Sequence, residues 1–366
     1  MRIGLLLTTL GMGGAERQAL SLGVGLAARG HTVQVLVLGP KAPEEWPAHL
    51  PVTRLGMRKN PLSFFWALWR ARRWLKGFEP RLLHSHSFHA NLFARCLKLL
   101  WPRMVVVNTI HNVWEGGWPR MMAYSLTARL ARQTTAVSQA AAERFVCMGA
   151  VRRARMRVLT NGIDVEEFVP MPERRKTMRE TMQAGEAFVW LTAGRLTAAK
   201  DVPNVLRALA LVVESEPRTL LWIAGQGEEE AALRELAQSL GLEERLRWLG
   251  LRRDLPALLD AADGFVLGSA WEGMPLVLGE AMAMEKPVAA TGVGGVRELV
   301  GVTGCVVEAQ QPRALADAML GLIRLDQQER RQVGRLARQR IQNSFSMESR
   351  VLAWEQLFWQ LAEESR

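Results

Sequence analysis

Short apolar runs alternate with longer amphipathic stretches along most of the chain. Residues 2–9, 32–38 and 105–109 are apolar over the length of a buried strand. After the first of these runs comes a glycine-rich turn, and then a helical pattern that extends to about Arg29. This order of strand, turn, helix and strand predicts the start of a doubly wound parallel sheet.

The same pattern begins a second time after a polar stretch that is rich in charge and contains two prolines. Apolar runs return at residues 188–193, 220–225, 246–250 and 264–267. A chain of 366 residues is long enough for two domains. We therefore predict an α/β protein with a first domain at 1–165, a linker at 166–186, a second domain at 187–345 and a final amphipathic helix within 346–366.

The charge is uneven between the two halves. The formal net charge is +11 overall, and counting residues gives +14 for residues 1–170 and −3 for the remainder. This asymmetry indicates an anionic partner for the first half, which could be nucleic acid, anionic lipid or a phosphorylated substrate. The three cysteines, Cys96, Cys147 and Cys305, are too far apart for a metal motif or a disulfide framework and suit a reducing cytoplasm. No apolar run is long enough to span a bilayer.

The stretch from Arg58 to Lys76 combines cations with aromatic residues. It has six basic residues, no acidic residue and five aromatics, in the sequence RKNPLSFFWALWRARRWLK. A basic helix with Trp and Phe is typical of a surface that binds anionic membranes. Two alternatives stay open: a nucleic-acid surface with stacking aromatics, and an ordinary amphipathic helix whose aromatics fill the core.

Two carboxylates, Glu272 and Glu280, follow the apolar run at 264–267. Pro275 lies between them, where a helix is expected to begin near its first position. Eight residues of helix would separate the carboxylates by ~12 Å, so they cannot act together on one bond. They could instead bind two ends of an extended ligand, with the helix N-terminus binding an anion between them. A nucleotide diphosphate sugar is such a ligand.

Two cations follow the strand predicted at 188–193. Arg195 comes directly after Gly194, and Lys200 lies five residues beyond Arg195. Cations at the carboxyl edge of a sheet can bind a diphosphate and stabilise its charge as the sugar leaves. A further turn, Gly225 to Gly227, ends the next strand.

The order of these motifs resembles retaining glycosyltransferases of family 4, which have the GT-B fold. The second half contains GRL followed by Lys, then GxG, Glu-x7-Glu, KPVAAT and VGG. The first half adds GMGGAE, a VS step at 137–138 and NGID at 161–164. Asp201 stands where the family usually has Gly after the Lys, which leaves the geometry of that loop open.

The resemblance implies a cleft between two Rossmann-like domains, with a final helix that returns to the first. It implies that Glu272 binds the donor sugar, that Glu280 binds the ribose, and that Arg195 and Lys200 neutralise the diphosphate. His111 would lie near the donor sugar. The remaining residues implied in donor binding are Gly13, Gly14, Gly225, Gly227, Gly273, Met274, Pro275 and Leu276. Family members retain the anomeric configuration, usually described as attack on the same face without a covalent sugar–enzyme intermediate.

We predict no metal and no cofactor beyond the nucleotide sugar as co-substrate. The sequence has no D-x-D, and the cations can replace a metal. His84, His86 and His89 cluster in sequence, but no carboxylate or cysteine completes a ligand set.

The basic aromatic stretch favours a lipid-linked or cell-envelope glycan acceptor, with the protein in the cytoplasm and peripheral on the inner face of the membrane. One alternative is a nucleic-acid-binding protein, but no reader motif is present and the acidic second half would repel phosphates, so no nucleic acid is expected. Another is an inactive GT-B protein that only binds a sugar nucleotide.

Overall fold

A computed structural model describes residues 1–11, 13–40, 50–58 and 60–364. Met12 of the GMGGAE motif and Lys59 of the basic aromatic stretch lie outside the described residues. The chain divides into two compact units. Unit 1 comprises Met1–Gly162 together with Met347–Arg366, and unit 2 comprises Ile163–Ser346.

Unit 1 contains a seven-stranded parallel sheet with the order β3-β2-β1-β4-β5-β6-β7. Its strands are β1 (Arg2–Leu7), β2 (Thr32–Val37), β3 (Val52–Arg54), β4 (Leu82–His86), β5 (Val105–Ile110), β6 (Gln133–Ala136) and β7 (Met156–Val158). The helices that connect them are α1 (Gly14–Ala28), α2 (Pro61–Phe78), α3 (Phe88–Leu100), α4 (Trp118–Leu126) and α5 (Gln139–Cys147). Short 3-10 turns occur at Ala128–Leu130 and Arg153–Arg155.

Unit 2 contains a six-stranded parallel sheet with the order β10-β9-β8-β11-β12-β13. After helix α6 (Pro172–Thr181), its strands are β8 (Phe188–Ala193), β9 (Thr219–Ala224), β10 (Leu246–Gly250), β11 (Gly264–Leu267), β12 (Val288–Thr291) and β13 (Cys305–Val307). Its other helices are α7 (Val202–Ser215), α8 (Glu230–Ser239), α9 (Leu255–Ala261), α10 (Leu276–Ala283), α11 (Val296–Val300), α12 (Pro312–Arg324) and α13 (Gln327–Phe345), with a 3-10 turn at Glu243–Arg245.

Both sheets are doubly wound, which confirms the predicted fold class. The strand order reverses between β1 and β4 in unit 1, and between β8 and β11 in unit 2. Ligands of such sheets bind outside the carboxyl ends of the strands at these points of reversal. The sequence pattern missed β3, β7 and β13, because three residues at a sheet edge are too few to show periodicity.

The segment predicted as a linker, 166–186, contains helix α6, which docks on unit 2. Arg175 and Arg179 both bind the carboxylate of Asp263, at 2.5 and 2.9 Å, and Arg174 pairs with Asp260. Three arginines on one short helix therefore attach it to α9 and the residues that follow α9. Part of the charge run of the predicted linker thus forms ion pairs with unit 2.

The chain returns to unit 1 at its last helix, α14 (Met347–Glu363). Val351, Trp354 and Phe358 on this helix belong to the same buried cluster as α1 and strands β1, β2 and β5. The sheet of unit 1 is thus covered by α14 and α1 on one face. On the other face lies a second cluster, formed mainly by α2 and α3.

Within the ranges that the structure describes, no helix has both the length and the apolar character needed to cross a membrane.

Candidate active site

The carboxylate of Glu272 lies at the point of strand reversal in unit 2. Lys200 Nζ donates to Glu272 Oε1 at 2.6 Å, and Ser269 Oγ donates to the same oxygen at 2.7 Å. Both side chains of the ion pair are largely buried, with exposed fractions of 21% for Lys200 and 11% for Glu272. Glu272 Oε2 accepts no hydrogen bond from the described residues, so it is available to a ligand. The structure therefore joins two residues that the sequence assigned to different parts of the donor.

Backbone contacts fix the loop that carries Glu272. The N–H of Ala270 donates to the carbonyl of Ala199 at 2.9 Å, which links this loop to the one that carries Lys200. Thr291 Oγ1 at the end of β12 donates to the carbonyl of Ser269 at 2.6 Å. Sequence reasoning missed Ser269, although a hydroxyl directly after a buried strand and three residues before a carboxylate is a usable signal.

Arg195 differs from Lys200 in its surroundings. It follows Gly194 at the end of β8, its side chain is exposed, and among the described residues it makes no hydrogen bond or ion pair. The site thus contains one cation bound to the carboxylate and one cation open to solvent. An open guanidinium is the better partner for an incoming diphosphate, because it gives up no protein contact on binding.

Gly225 and Gly227, predicted to bind the donor, allow two strand-end loops to approach each other. A Cβ on Gly225, whose φ is +145°, would lie 1.8 Å from the carbonyl oxygen of Gly194. A Cβ on Gly227 would lie 2.0 Å from the carbonyl oxygen of Leu196. Their absence of side chains therefore sets the position of the loop that contains Arg195.

Helix α10 begins one residue later than predicted. Pro275 is its N-cap, with extended backbone, and Leu276 is its first residue. The segment from Gly273 to Pro275 is buried, and so is the Glu280 side chain, which is 3% exposed as a residue. A Cβ on Gly294, at φ +55°, would lie 2.1 Å from the carbonyl oxygen of Glu272, so the glycine turn after β12 packs directly against the loop before α10.

Asp201, which stands where the family usually has Gly, keeps a glycine-like backbone conformation. It adopts the left-handed conformation, with φ 41° and ψ 50°, which the usual glycine adopts without strain. Its side chain accepts from the N–H of Asn204 at 3.3 Å and caps helix α7. Asp is among the few non-glycine residues that tolerate this region, so the loop keeps a glycine-like turn and gains a cap.

In unit 1, His111 follows β5 and meets His86 at the end of β4. His111 Nε2 lies 2.9 Å from His86 Nδ1, so one ring donates to the other. His86 Nε2 is buried and has no hydrogen-bond partner within the described residues. An unprotonated ring nitrogen costs less there than an unpaired N–H, so we assign the proton to His86 Nδ1. Neutral His111 then accepts at Nε2 and carries its own proton on Nδ1.

Burial keeps these histidines neutral. It lowers the pKa of His111 to about 4 and holds the pKa of His86 well below its usual value, with further lowering from His84 and His111. The pKa of His84 is likewise well below its usual value because of burial and His111. His84 donates to or accepts from Thr109 Oγ1 at 2.6 Å and packs against Trp354 of α14.

Glu115, which no sequence motif marks, is buried next to His111. Its Oε1 accepts from the backbone N–H of His111 at 3.2 Å, and its Oε2 accepts from the Tyr124 hydroxyl at 2.8 Å. Burial raises the pKa of Glu115 to about 7, although both hydrogen bonds favour the charged form. A signal was present: Glu115 is the one acidic residue in the sequence between Glu79 and Glu143.

Gly13 and Gly14 lie at the carboxyl end of β1, on the edge of the sheet that also carries His86. Gly13 is the N-cap of α1 and Gly14 its first residue. A Cβ on Gly13 would lie 2.3 Å from Glu16 Oε2, while Glu16 Oε1 accepts from Thr9 Oγ1 at 2.9 Å. The carboxylate of Glu16 thus lies against the start of α1, where it complements the helix dipole.

The aromatic residues of α2 divide between core and solvent. Trp74 is buried and its Nε1 donates to Gln34 Oε1 at 2.8 Å. Phe65, Trp66 and Trp69 are 66%, 58% and 46% exposed. Trp66 and Trp69 stack with ring centroids 4.8 Å apart, and Arg73 lies over the ring of Trp69. The alternative in which all these aromatics fill the core is therefore wrong for three of them. Throughout the described ranges, no three His, Cys, Asp or Glu side chains come together in a way that could hold a metal ion.

Comparison with known proteins agrees with this architecture. The family model "Glycosyl transferases group 1" matches residues 173–340, and the model "Glycosyltransferase Family 4" matches residues 12–167. The chain is 26% identical over 296 residues to UDP-Gal:alpha-D-GlcNAc-diphosphoundecaprenol alpha-1,3-galactosyltransferase of Escherichia coli, covering 76% of this chain and 74% of that protein. It is also 26% identical to the lipopolysaccharide core biosynthesis glycosyltransferase LpsD of Rhizobium meliloti, covering 77% and 76% of the two chains. The crystal structure of Anabaena HepE in complex with UDP-glucose has a TM-score of 0.85 and 24% identity, covering 100% of this chain and 99% of that chain.

Two doubly wound units of this kind, similar to those of HepE, have the GT-B fold. Since the two family models together extend over most of the chain, the protein belongs to glycosyltransferase family 4.

Proposed function

We propose that the protein transfers a sugar from a nucleotide diphosphate sugar to a lipid-linked glycan of the cell envelope, with retention of configuration and without a metal. One observation carries this proposal. At the strand reversal of unit 2, Glu272 is held through Oε1 by Lys200 and Ser269, with Oε2 left for a ligand, and the exposed Arg195 follows the neighbouring strand β8.

The donor would lie along this edge of unit 2. Glu272 Oε2 would accept from hydroxyl groups of the sugar, and Glu280 from the ribose. Arg195 and the N-terminus of α10 would bind the diphosphate. Lys200 already binds Glu272. It would therefore orient the carboxylate that binds the sugar and also contribute positive charge near the phosphate.

The reaction breaks the bond between the anomeric carbon and a phosphate oxygen. The acceptor hydroxyl oxygen forms the new bond on the same face, and its proton passes to the departing phosphate oxygen. Negative charge grows on the diphosphate during this step, and Arg195 and Lys200 stabilise it. That role is one that a metal ion could otherwise take.

His111 would serve as a hydrogen-bond donor to the sugar. With Nε2 accepting from His86, the neutral ring offers Nδ1–H, and its low pKa excludes it as a cation at neutral pH. A neutral donor suits a sugar hydroxyl better than a phosphate.

The names of relatives support the substrate classes. The Escherichia coli relative is named for a UDP-sugar donor and an undecaprenol-linked acceptor, and the Anabaena structure contains UDP-glucose. A uridine diphosphate sugar is therefore the first donor to test, and a polyprenyl-diphosphate glycan the first acceptor.

The exposed face of α2 would bring the protein to anionic lipid. It presents Phe65, Trp66 and Trp69 beside arginines on a helix that has no acidic residue. Vesicles with anionic lipid at low salt should retain the protein, and Trp66→Ser combined with Trp69→Ser should release it. Trp74 on the same helix is buried, so its replacement would disturb the core and cannot serve as a control. Trp359→Ser on α14, which is 42% exposed, serves instead. Equal binding by both variants would remove α2 from the proposal.

The deciding experiment is a donor screen by mass spectrometry with membrane extract as acceptor. Thermal stabilisation by nucleotide diphosphates, compared with single-stranded and duplex nucleic acid, precedes it. Glu272→Gln should abolish transfer with the fold retained, whereas Glu214→Gln on the exposed side of α7 should not. Stabilisation by nucleic acid alone, or full activity of Glu272→Gln, would overturn the proposal.

A further inference from the structure

We propose that Glu115 is a positioning residue that holds His111 in place for sugar transfer. The inference rests on the role proposed for His111. It names a residue that touches no substrate itself and acts through the backbone of the histidine.

The two carboxylate oxygens of Glu115 bind different elements. Oε1 binds the N–H of His111, and Oε2 binds the hydroxyl of Tyr124 on α4. A single side chain therefore ties the residue after β5 to the following helix. The connecting turn is closed further by Arg120, whose Nη1 donates to the Glu115 carbonyl at 2.7 Å.

A buried polar network lies behind Tyr124. Asn91 Nδ2 on α3 donates to the Tyr124 hydroxyl at 2.9 Å, and Ser85 Oγ on β4 donates to Asn91 Oδ1 at 2.8 Å. Asn91, Ser85 and Tyr124 are all fully buried. Buried polar groups are costly unless satisfied, and this chain of donors runs in one direction and ends at Glu115. The arrangement fixes the position of the carboxylate from two elements.

The direction of these hydrogen bonds determines which protonation state of Glu115 can hold His111. The Tyr124 hydroxyl accepts a hydrogen bond from Asn91 and donates one to Glu115, and the N–H of His111 also donates to Glu115. Both oxygens must therefore accept, as only the ionised carboxylate does. Protonation would break one of the two hydrogen bonds and so undo the link between the His111 backbone and α4.

Several charged or titratable groups contact Glu115 or lie against the residues that do. They are His111 after β5, Arg120 and Tyr124 on α4, Arg95 on α3, which lies 4.9 Å from the centre of the Tyr124 ring, and His86 at the end of β4. Burial raises the pKa of Glu115 to about 7, whereas the hydrogen bonds from Tyr124 and His111 and the charge of Arg120 lower it, so the carboxyl titrates near neutral pH. The rate should then fall as pH decreases through this region.

Glu115→Gln tests the inference, because it keeps the size of the side chain but replaces one acceptor with a donor. It should lower kcat by ~10- to 100-fold with KM for the acceptor little changed, and the acidic limb of the pH profile should vanish. Tyr124→Phe removes a hydrogen bond that favours the charged form, so its acidic limb should move to higher pH.

A double-mutant cycle separates positioning from plain structural support. In a His111→Ala background, Glu115→Gln should cause little further loss, because the two residues act as one unit. An equal loss in both backgrounds would overturn the inference, and so would full activity of His111→Ala.

Hydrogen exchange provides a measurement that needs no turnover. The amides of residues 108–118 should exchange faster in Glu115→Gln than in the native protein, with residues 246–267 of unit 2 unchanged. Unchanged exchange of the amides of residues 108–118 would refute the proposal that Glu115 holds His111 in place. If the native protein transfers no sugar from any donor, the proposed function fails, and the exchange result still decides whether Glu115 holds His111.

Discussion

At the scale of single residues, the site of unit 2 separates two tasks that positive charge can perform. Lys200 is bound to the Glu272 carboxylate, whereas Arg195 is open to solvent. The first interaction orients a group that contacts the sugar, and the second is left for the phosphates. Losing one or the other should therefore have different effects on stability.

Arg195→Ala should lower kcat by ~10²- to 10³-fold, as removal of a preorganised transition-state partner commonly does. The melting temperature should stay the same, because the Arg195 side chain makes no hydrogen bond or ion pair with the described residues. Steady-state transfer rates and thermal unfolding provide both numbers. Arg324→Ala, which removes a surface arginine 3.8 Å from Glu216, is the matched control and should retain activity. An unaltered kcat in Arg195→Ala would contradict the role of this cation.

At the scale of elements, close approach between strand-end loops depends on glycines. The loop after β9 touches the loop after β8 at Gly225, where the backbone carbonyl of Gly194 occupies the space of a Cβ. The loop after β12 touches the Glu272 loop at Gly294 in the same manner. Both contacts form part of the frame that holds Glu272 and Arg195.

Gly225→Ala should destabilise unit 2 by about 2–4 kcal/mol, since a clash with a backbone atom adds to an unfavourable φ. Gly321→Ala in the middle of α12, where nothing lies within 4 Å of the new Cβ, should instead stabilise it by about 0.5–1 kcal/mol. Denaturant titrations of both variants measure the difference. If the two substitutions had the same sign, the loop contact would not determine stability.

The stability of unit 1 depends on how helix α14 packs against it. Trp354 is 3% exposed within the cluster that includes α1, whereas Trp359, on the same helix, is 42% exposed. Trp354→Ala should cost about 3–5 kcal/mol because it leaves a cavity, and Trp359→Ala should cost much less. Hydrogen exchange of strands β1 and β4 reports the loss within unit 1. Similar losses in the two variants would argue against the packing described for α14.

At the scale of the whole molecule, the excess of positive charge lies in the first half of the sequence. Several ionisable groups are buried in the same half. Three neutral histidines and one carboxyl of raised pKa lie inside unit 1. These groups respond to acid in opposite directions. The sum decides how the stability of unit 1 depends on pH.

Unit 1 should lose stability as pH falls from about 6.5 towards 4. Each of these histidines stays neutral when folded and takes up a proton on unfolding, so the unfolded state binds more protons in this window. The free energy of unfolding therefore falls as the pH falls, and for His111 the decrease is about 1–2 kcal/mol between pH 6.5 and 5. Glu115 works in reverse, because between its usual pKa and about 7 the folded state keeps a proton that the unfolded state has lost. The destabilising effect of the three histidines outweighs the opposite effect of Glu115. Hydrogen exchange of β4 and β5 at pH 7 and pH 5, corrected for intrinsic rates, tests the sign, and constant protection would contradict it.

The sequence predicted the carboxyl ends of the central strands better than the contacts between the loops that follow them. Arg195, Lys200 and Glu272 could be found because each follows an apolar run, and runs 188–193 and 264–267 coincide with β8 and β11. The ion pair between Lys200 and Glu272 could not, because it joins residues 72 positions apart and depends on β8 lying beside β11. The bond between Glu115 and Tyr124 was equally hidden, since nothing in the spacing of nine residues shows that both side chains point inward.

The discontinuity of unit 1 has a consequence for synthesis on the ribosome. Strands β1 to β7 emerge long before α14, and all of unit 2 is made in between. Until α14 arrives, the surface that will receive Val351, Trp354 and Phe358 is uncovered, including the side of the sheet where His84 packs on Trp354. The nascent first unit thus passes through a period with an exposed apolar face, which is the kind of surface that chaperones bind. Unit 2 is continuous in sequence and can complete its core first, so we expect the second unit to reach its native state before the first.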